Sequence, residues 1–406
     1  MSPVCDASSS RVITHVIPYM HPSAGGPPVV VDRLCRGLGR AGWTNRVVTT
    51  DALARGLPQD WTAQYGQDYE MLVFPTRGPT NFGYSGALAA KIDEIVASSQ
   101  LIHVHTAWSY PGLAAMRACR RRGIPFVVMP HGMFDSNSLR RKWLKKQLYG
   151  RFVEWREVRA AAAMVYTHAE ERRLAEESVP RLPPGFIVSL GADSPPDATR
   201  EQLGAAFIEK FPHLRGRRVV LFLSRLHPKK GLDLLIPAFR TVANRFDDAH
   251  LAIVGAGDDA YLATLRRLVS NDSLADRVTF TGPLNGNAKW EAMAAATMLV
   301  LPSYQENFAL VVAEGMRIGL PIVLSRRVNI WTDVVEGGAG LPCELSINSV
   351  AEAVARLLAD PCFADHAGRQ GQRLATKRFT WDRTAAAVAA VYAEVLHRSS
   401  AVTCRI

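Results

Sequence analysis

A chain of 406 residues is too long for one ordinary hydrophobic core, and it predicts two domains of about 200 residues each. Its composition, 48% hydrophobic and 21% charged, is typical of a soluble globular protein. No apolar run approaches the ~20 residues of a membrane span. The net charge of +11 indicates an anionic partner, which would be a nucleic acid, a membrane surface or a phosphorylated substrate.

The first ten residues lack the basic and apolar regions of a secretory signal peptide, and residues 12–18 already have the pattern of a strand. The six cysteines are scattered, and no two of them form a C-x-x-C pair. We therefore expect a cytoplasmic protein with reduced thiols and no structural zinc.

Short apolar strands alternate with helical stretches in both halves of the chain, a pattern typical of parallel sheets covered by helices on both faces. The predicted strands are 12–18, 46–50, 71–75, 101–106, 125–130 and 162–168, then 219–224, 250–255, 277–282, 298–302 and 321–325. The pattern lapses between residues 190 and 218, where we expect a linker. The sequence therefore predicts two doubly wound α/β domains, residues 1–195 and 196–380, and a last helix at about 381–406.

Candidate ligand-binding residues of the first half follow its predicted strands. Gly25 and Gly26 precede a helix, and paired glycines let the backbone approach a ligand closely, although a plain turn has the same pattern. His131 stands at the carboxyl end of a strand, where open parallel sheets bind ligands. His103 and His105 alternate along one strand and face the same side. Because no third metal ligand accompanies them, we expect them to line a cleft and expect no metal site.

Charged and glycine-rich segments follow the strands of the second half. Arg225 and Lys230 suit a diphosphate, since a guanidinium binds two oxygens and an ammonium is a mobile point charge, but surface pairs like this one are common. Residues 255–260 match the G-x-G-x-x-A dinucleotide fingerprint. Asp258 and Asp259 would repel a pyrophosphate there, so we expect a structural turn.

A polar loop follows the strand at 298–302 and leads into a helix predicted at residues 308–317. The loop is Glu306-Asn307-Phe308-Ala309. The free amides and the dipole of the helix N-terminus favour a phosphate at this loop. Glu306 in the loop and Glu314 two turns along the helix would meet the two ends of a bound ligand. In isolation, the same spacing is also found for an ordinary loop glutamate and helix glutamate.

Three motifs of the second half occur in one order and with one spacing. They are Ser224-Arg225-Leu226-His227-Pro228-Lys229-Lys230-Gly231, the Pro302-Ser303-x-x-Glu306 block and Gly319-Leu320-Pro321. The set resembles the family 4 glycosyltransferases, and the resemblance extends from the Gly25-Gly26 loop to Trp381. It implies the GT-B fold, in which two Rossmann-like domains face a central cleft and the last helix crosses back to the N-terminal domain.

The resemblance also implies a retaining, metal-independent transfer of sugar from a UDP- or GDP-linked donor to a saccharide or polyisoprenyl-linked acceptor, in cell-surface polysaccharide assembly. It implies no cofactor. The N-terminal domain would bind the acceptor and the C-terminal domain the nucleotide sugar. Arg225 and Lys230 would neutralise the diphosphate, and Glu306 would bond hydroxyls of the donor sugar. Glu314 would hold the ribose hydroxyls, and His131 would contact the sugar.

Two further loops complete this implied site. Gly25 and Gly26 would face the donor diphosphate and the acceptor. The residues after Glu306, Asn307-Phe308-Ala309, would form the diphosphate loop. The family usually has Gly-Phe-Gly there, so the added side chains crowd this loop unless its backbone angles are ordinary.

Residues 139–159 contain eight basic and two acidic residues, and their net charge of +6 is over half of the whole chain's +11. Leu, Trp and Phe recur among them at intervals of three and four, which predicts a helix with one apolar side. Such a helix either lies on an anionic membrane or packs its apolar side into the core. In the first case the protein would bind the inner face of the cytoplasmic membrane, and the acceptor would be a lipid-linked saccharide.

Other functions remain open on these residues. A nucleotide-sugar epimerase and a glycosyl phosphorylase share the implied fold. A nucleic-acid-binding protein is disfavoured, because the basic residues do not alternate with aromatics along the strands and no helix-turn-helix or zinc pattern is present. We expect no nucleic-acid partner.

Overall fold

The computed structural model describes residues 12–55, 62–63, 65–66, 68–80, 82–135, 139, 148–271 and 274–403. The chain forms two compact units. Unit 1 contains the residues up to Leu190 and those from Trp381 onward, and unit 2 contains Gly191–Thr380. Each unit is built on one parallel sheet covered by helices, so the predicted pair of Rossmann-like α/β domains is confirmed. None of the helices in the described ranges is long and apolar enough to span a membrane.

The described residues of unit 1 form seven strands. The strands are β1 (Val12–Tyr19), β2 (Thr44–Thr50), β3 (Glu70–Phe74), β4 (Leu101–His105), β5 (Phe126–Met129), β6 (Ala163–Tyr166) and β7 (Gly185–Ile187). The α-helices that connect them are α1 (Gly26–Arg40), α2 (Gly86–Ala97), α3 (Tyr110–Arg122), α4 (Trp155–Val158) and α5 (Ala169–Ser178). A 3₁₀ turn lies at Pro22–Ala24 and a π-helical turn at Gly150–Glu154.

The sheet of unit 1 has the strand order β3-β2-β1-β4-β5-β6-β7. Strands β4, β5 and β6 are buried along their whole length, which explains their nearly continuous apolar runs. The order reverses between β1 and β4, so the connections after these two strands lead to opposite sides of the sheet. Such a reversal opens a crevice at the carboxyl ends of the strands, where ligands bind in folds of this class.

Six strands lie in the part of unit 2 that the structure describes. They are β8 (Arg218–Leu223), β9 (Ala249–Val254), β10 (Val278–Gly282), β11 (Ala296–Leu301), β12 (Ile322–Ser325) and β13 (Gly340–Cys343). Its α-helices are α6 (Arg200–Lys210), α7 (Leu232–Ala243), α8 (Asp259–Asn271), α9 (Asn287–Ala295), α10 (Leu310–Arg317), α11 (Trp331–Glu336), α12 (Ile347–Ala359) and α13 (Pro361–Arg378). Short 3₁₀ turns lie at Pro212–Leu214 and Pro228–Lys230.

The sheet of unit 2 has the order β10-β9-β8-β11-β12-β13, which reverses between β8 and β11. The two strands at the reversal are the ones followed by Lys230 and Glu306. Because the carboxyl ends of parallel strands lie at one edge of the sheet, the fold brings the loops after β8 and β11 together. The helix after Glu306 begins at Leu310, two residues later than the sequence pattern predicts.

The last helix, α14 (Trp381–Thr403), belongs to unit 1. It packs against α1, where a Cβ atom on Gly37 would lie 2.6 Å from Cβ of Ala385, so only a glycine permits this approach. Further along α14, the hydroxyl of Tyr392 lies 2.6 Å from Nδ1 of His103 in the centre of the sheet. The prediction that the chain returns to its N-terminal domain is confirmed.

The predicted one-sided helix at residues 139–159 is wrong for the residues that the structure describes there, which are Leu139 and 148–159. Leu139 and Trp155 pack on the core of unit 1, whereas Leu148 and Phe152 are 61% and 71% exposed. The π-helical turn at Gly150–Glu154 explains the division, since a π turn inserts an extra residue and rotates the helix face that follows. The basic residues at 140–146 lie outside the described residues.

Candidate active site

The loop after β8 is held against the end of β11 by a glycine. Gly231 has φ 75°, and a Cβ atom there would lie 2.0 Å from the carbonyl oxygen of Pro302. No other residue fits between these backbones, so Gly231 places the preceding 3₁₀ turn at the start of the Glu306 loop. Two hydrogen bonds tie the same loops together. The Tyr304 amide donates to the Lys229 carbonyl at 2.8 Å, and Nζ of Lys229 donates to Oε1 of Gln305 at 3.0 Å.

This arrangement brings Lys230 and Glu306 into a direct ion pair. Only 13% of the lysine side chain and 19% of the glutamate side chain are exposed. Burial, together with repulsion from Arg225 and Lys229, lowers the pKa of Lys230 to about 7. Arg225 itself is exposed at the beginning of the same loop. Whether Lys230 is protonated near pH 7 therefore depends on an anion beside it.

The loop after β12 positions the backbone of Glu306. The Glu306 amide donates to the Arg327 carbonyl at 3.0 Å, and the Asn329 amide donates to the Glu306 carbonyl at 3.1 Å. The side-chain amide of Asn329 also donates to Oδ1 of Asn307 at 3.1 Å. Sequence reasoning missed Asn329, although its position just after a buried strand at the carboxyl edge is a signal that could have identified it.

Phe308 and Ala309 complete the loop in different ways. Phe308 is buried and packs edge-on against Phe379, with ring centroids 5.6 Å apart, so it anchors the loop. Ala309 has φ 58° and ψ 72°, which is the left-handed region. The backbone is therefore not ordinary where the sequence departs from the family pattern, and Ala309 carries strain of roughly 1–2 kcal/mol.

Glu314 lies in α10 and is only 7% exposed. Its Oε1 accepts a hydrogen bond from Nζ of Lys289 in α9 at 2.7 Å. Sequence reasoning missed Lys289, because nothing in its local sequence distinguishes it from a solvated helix lysine. The ammonium neutralises a carboxylate that is otherwise costly to bury, and it restricts the directions in which Glu314 can accept further hydrogen bonds.

The glycines of the dinucleotide-like segment are explained by backbone packing. A Cβ atom on Gly255 would lie 1.9 Å from the Ser224 carbonyl oxygen, and one on Gly257 would lie 2.3 Å from the Leu226 carbonyl oxygen. Both glycines therefore let the loop after β9 lie against the loop after β8. The match to the fingerprint has a structural cause that requires no phosphate.

In unit 1, His131 lies in the turn after β5. It has φ 51°, and the following Gly132 has φ 76°. The turn is clamped by Glu171 of α5, whose Oε1 accepts from the Gly132 amide at 2.5 Å and whose Oε2 accepts from the Thr167 amide at 2.7 Å. Sequence reasoning missed Glu171. The clamp holds a non-glycine residue in a left-handed conformation, which persists only where the surroundings determine it.

The Gly25-Gly26 loop follows β1 in the same unit. Gly25 has φ 91° and ψ −134°, a conformation available to glycine, and it caps the N-terminus of α1. Gly26 is the first residue of that helix. The helix therefore begins without a side chain that would shield its free amides.

The expectation for His103 and His105 is wrong in two respects. Both side chains are fully buried rather than lining a cleft. A third histidine, His15 of β1, lies beside them, and nitrogen atoms of the three lie within 4.8 Å of one another. His15 and His103 are in register on paired strands, a relation that the sequence does not reveal. Burial lowers the pKa of all three imidazoles, so they are neutral near pH 7.

Sequence profiles of two families match most of the chain. Residues 24–188 match the family described as Glycosyltransferase Family 4, and residues 205–374 match Glycosyl transferases group 1. These matches correspond to unit 1 and unit 2, and they cover the loops described above. The chain belongs to the family 4 glycosyltransferases.

Individual proteins of known activity match the sequence of the chain at lower coverage than the two family profiles together. The GDP-mannose-dependent alpha-(1-6)-phosphatidylinositol monomannoside mannosyltransferase of Mycobacterium tuberculosis is 33% identical over 220 residues, which are 52% of this chain and 55% of the relative. The D-inositol 3-phosphate glycosyltransferase of Acidothermus cellulolyticus is 28% identical over 326 residues, 75% of this chain and 69% of the relative. The first match thus spans about half the length of that relative.

Among solved structures, Anabaena HepE in complex with UDP-glucose is similar in fold. The TM-score is 0.75 at 18% sequence identity, over 94% of this chain and 99% of that chain. Sucrose-phosphate synthase from Thermosynechococcus elongatus has a TM-score of 0.72 at 20% identity, over 96% of this chain and 100% of that chain. At these identities the likeness concerns the fold, and it agrees with the GT-B class.

The strain at Ala309 gives a first prediction. Replacing Ala309 with glycine should leave the free energy of unfolding unchanged or raise it by up to about 1 kcal/mol, because relief of the left-handed strain offsets the entropy that glycine adds to the unfolded chain. Ala263 is a matched control, exposed within α8 of the same unit. There the change to glycine should cost about 1 kcal/mol. Denaturant unfolding of both variants is the measurement, and equal losses would contradict the strained geometry.

Proposed function

We propose that the protein is a retaining glycosyltransferase that moves a sugar from a UDP- or GDP-linked donor to a saccharide or lipid-linked saccharide. The observation that carries the proposal is the ion pair between Lys230 and Glu306 at the strand-order reversal of unit 2. A bound diphosphate would take the place of Glu306 beside Lys230. The carboxylate would then be released to accept hydrogen bonds from hydroxyls of the donor sugar.

Other residues of unit 2 fit the rest of such a donor. Arg225 would add a second cation to the diphosphate, which Asn307, Phe308 and Ala309 would contact as the loop before α10. Glu314, held by Lys289, would accept hydrogen bonds from the ribose hydroxyls. In support of a nucleotide donor, the mannosyltransferase relative is named as GDP-mannose-dependent, and HepE was solved with UDP-glucose.

We propose that unit 1 binds the acceptor, with His131 and the Gly25-Gly26 loop in contact with substrate. The bond between the anomeric carbon and the leaving phosphate oxygen breaks while a bond to the acceptor hydroxyl oxygen forms on the same face of the sugar. The hydroxyl proton passes to the leaving phosphate. Two cations and a helix dipole stabilise that leaving group, so the proposal requires no metal ion and no cofactor.

The proposal is tested by donor binding followed by turnover. A panel of UDP-, GDP- and ADP-sugars is screened by thermal unfolding, since a ligand at 100 times its Kd adds about 2.7 kcal/mol. Transfer from the stabilising donor is then measured in EDTA with saccharide and lipid-linked acceptors. The Glu306→Gln and Lys230→Ala variants should lose about 10²-fold or more in kcat. Their melting temperature should fall, because each leaves a mostly buried charge without its partner, so kcat is measured at a temperature at which both variants remain folded.

Several outcomes would contradict it. Full activity in either variant would remove the assigned roles, and activity that returns only with Mg²⁺ would remove the metal-free site. Donor turnover to an epimeric nucleotide sugar without acceptor would favour an epimerase. Phosphate-dependent cleavage of a saccharide would favour a phosphorylase. Tight binding of a labelled oligonucleotide at physiological salt would favour the nucleic-acid-binding alternative.

The lowered pKa of Lys230 predicts how nucleotide binding depends on pH. A diphosphate favours the charged ammonium, so the pKa of Lys230 rises above about 7 in the complex. Affinity should therefore be constant well below pH 7 and fall by up to about tenfold per pH unit above it, with proton uptake on binding. Calorimetry of UDP or GDP binding in buffers of different ionisation enthalpy measures both. The Lys230→Arg variant is the control, because a guanidinium stays charged and its pH profile should be flat.

We further propose that unit 1 binds an anionic membrane through a surface around α4, which would place the enzyme at the inner face of the cytoplasmic membrane. Leu148 and Phe152 are four residues apart and strongly exposed. Arg151 and Arg156 are exposed in the same segment, and Arg156 lines a surface cavity together with Arg120 of α3. Exposed apolar side chains can insert into the membrane interface while neighbouring basic side chains bind the anionic headgroups. Each basic residue near the surface contributes about 1 kcal/mol to the binding free energy.

Vesicle sedimentation tests this surface. The variant with Leu148→Ser and Phe152→Ser should bind vesicles containing anionic lipid more weakly than the wild type at low salt, and the variant with Arg151→Ser and Arg156→Ser should do the same. Ile187→Ser is the matched control, since Ile187 is 48% exposed elsewhere in unit 1 and should not affect binding. Equal recovery of all proteins in the supernatant would contradict the membrane-binding surface and would favour a soluble acceptor.

A further inference from the structure

Three histidines of unit 1, His15, His105 and His131, form a continuous line from the centre of the sheet to the turn after β5. Nδ1 of His15 lies 3.0 Å from Nε2 of His105, and Nδ1 of His105 lies 3.2 Å from Nε2 of His131. At the inner end, Nε2 of His15 lies 3.4 Å from Oδ1 of Asn45. His15 and His105 are fully buried, so each ring nitrogen in the line meets a partner from the protein.

The orientation of the Asn45 side chain is determined by its surroundings. Its Nδ2 donates to the Cys35 carbonyl at 3.0 Å and to the Trp43 carbonyl at 3.1 Å. The opposite orientation would place the amide oxygen against two carbonyl oxygens. Oδ1 of Asn45 therefore faces His15 and can only accept a hydrogen bond from it.

The Oδ1 acceptor of Asn45 determines which ring nitrogen carries the proton in each histidine of the line. A neutral imidazole has one N–H group, and burial holds the pKa of His15 and of His131 at about 4 and that of His105 well below its usual range. His15 must donate from Nε2 to Asn45, so its Nδ1 accepts from Nε2–H of His105. Nδ1 of His105 in turn accepts from Nε2–H of His131. One proton arrangement satisfies all three contacts.

We infer that Asn45, His15 and His105 are positioning residues that hold His131 as its Nε2–H tautomer, so that Nδ1 of His131 accepts a hydrogen bond from a substrate hydroxyl. The inference rests on the proposed function, in which His131 contacts substrate. A lone pair at this position recognises a hydroxyl donor and disfavours a phosphate oxygen, which has no proton to donate at neutral pH. His131 therefore contributes selectivity for a sugar or acceptor hydroxyl.

His103 lies beside this line but outside it. Its ring stacks on that of His105 with centroids 4.0 Å apart, while its Nδ1 bonds with the hydroxyl of Tyr392 and not with another histidine. Nε2 of His103 is buried without a hydrogen-bond partner among the described residues. A variant at His103 therefore disturbs the packing of the stack and leaves the proton arrangement unchanged, which makes it the matched control.

A divalent cation among His15, His103 and His105 is the alternative use of the same nitrogens. The three side chains are fully buried, and the group contains no carboxylate, so two positive charges would be buried without an anion. The distance between Nδ1 of His15 and Nε2 of His105 is also that of a hydrogen bond. Both features favour the hydrogen-bonded line.

The test is long-range ¹H–¹⁵N correlation NMR of the full chain labelled on histidine, with the His131 signals assigned from the His131→Gln spectrum. We expect His131 to be protonated on Nε2 alone at pH 7. In Asn45→Ala and His105→Phe both tautomers should appear. In His105→Gln, whose carboxamide donates and accepts, and in His103→Gln, the single tautomer should persist. Nucleotide binding should be unchanged in all four variants, while kcat should fall between twofold and about tenfold in the first two.

The outcomes separate this inference from the proposed function. A wild-type His131 that is protonated on Nδ1 or on both nitrogens overturns the inference, as does a single tautomer that survives in both Asn45→Ala and His105→Phe. One equivalent of zinc in the purified wild type, lost in His105→Phe, overturns it in favour of the cation site. A correct tautomer pattern in a protein that binds no nucleotide sugar overturns the proposed function and leaves the line intact. The wild-type spectrum tests the tautomer of His131 even if a variant fails to fold.

Discussion

The ion pair between Lys230 and Glu306 is the interaction on which the candidate site of unit 2 depends. Both charges are mostly removed from water, and a mostly buried charge without a partner would be costly. The pair is possible because Gly231 allows the loop after β8 to approach the Pro302 carbonyl. The loop after β12 then holds the backbone of Glu306. Three strand ends thus converge to keep two opposite charges in contact.

Unit 1 arranges its polar groups on a different physical basis. Its buried line of imidazoles is neutral, because desolvation disfavours every additional proton. Position there is determined by hydrogen-bond direction rather than by charge. Under the proposed function, unit 2 would bind the anionic leaving group and unit 1 the hydroxyl groups. This division is consistent with donor binding by unit 2 and acceptor binding by unit 1.

Two of the candidate-site loops contain a strained backbone position. Ala309 and His131 both have left-handed backbone conformations without being glycine. Each is held from outside, Ala309 between the buried Phe308 and α10, and His131 by the clamp of Glu171 on the next residue. Conformations of this kind persist where neighbouring contacts determine them, and they are frequent at ligand-binding loops.

The sequence by itself determined the fold class, because apolar runs of strand length that alternate with helical stretches leave little choice but parallel sheets. It also identified Lys230, Glu306 and Glu314 as candidates, since motif residues near one another in the chain keep their order and spacing. It placed the helix after Glu306 to within two residues. Each of these inferences depends on local periodicity or local spacing.

Only the tertiary structure decided which distant residues meet. Lys289 pairs with Glu314 across 25 positions, Asn329 bonds with Asn307 across 22, and His15 meets His105 across 90. Strand register places His15 beside His103, and a π-helical turn divides the apolar residues of 139–159 between core and surface. Such contacts depend on sheet order and helix packing, whose free energies are summed over the whole unit and are not encoded near either residue.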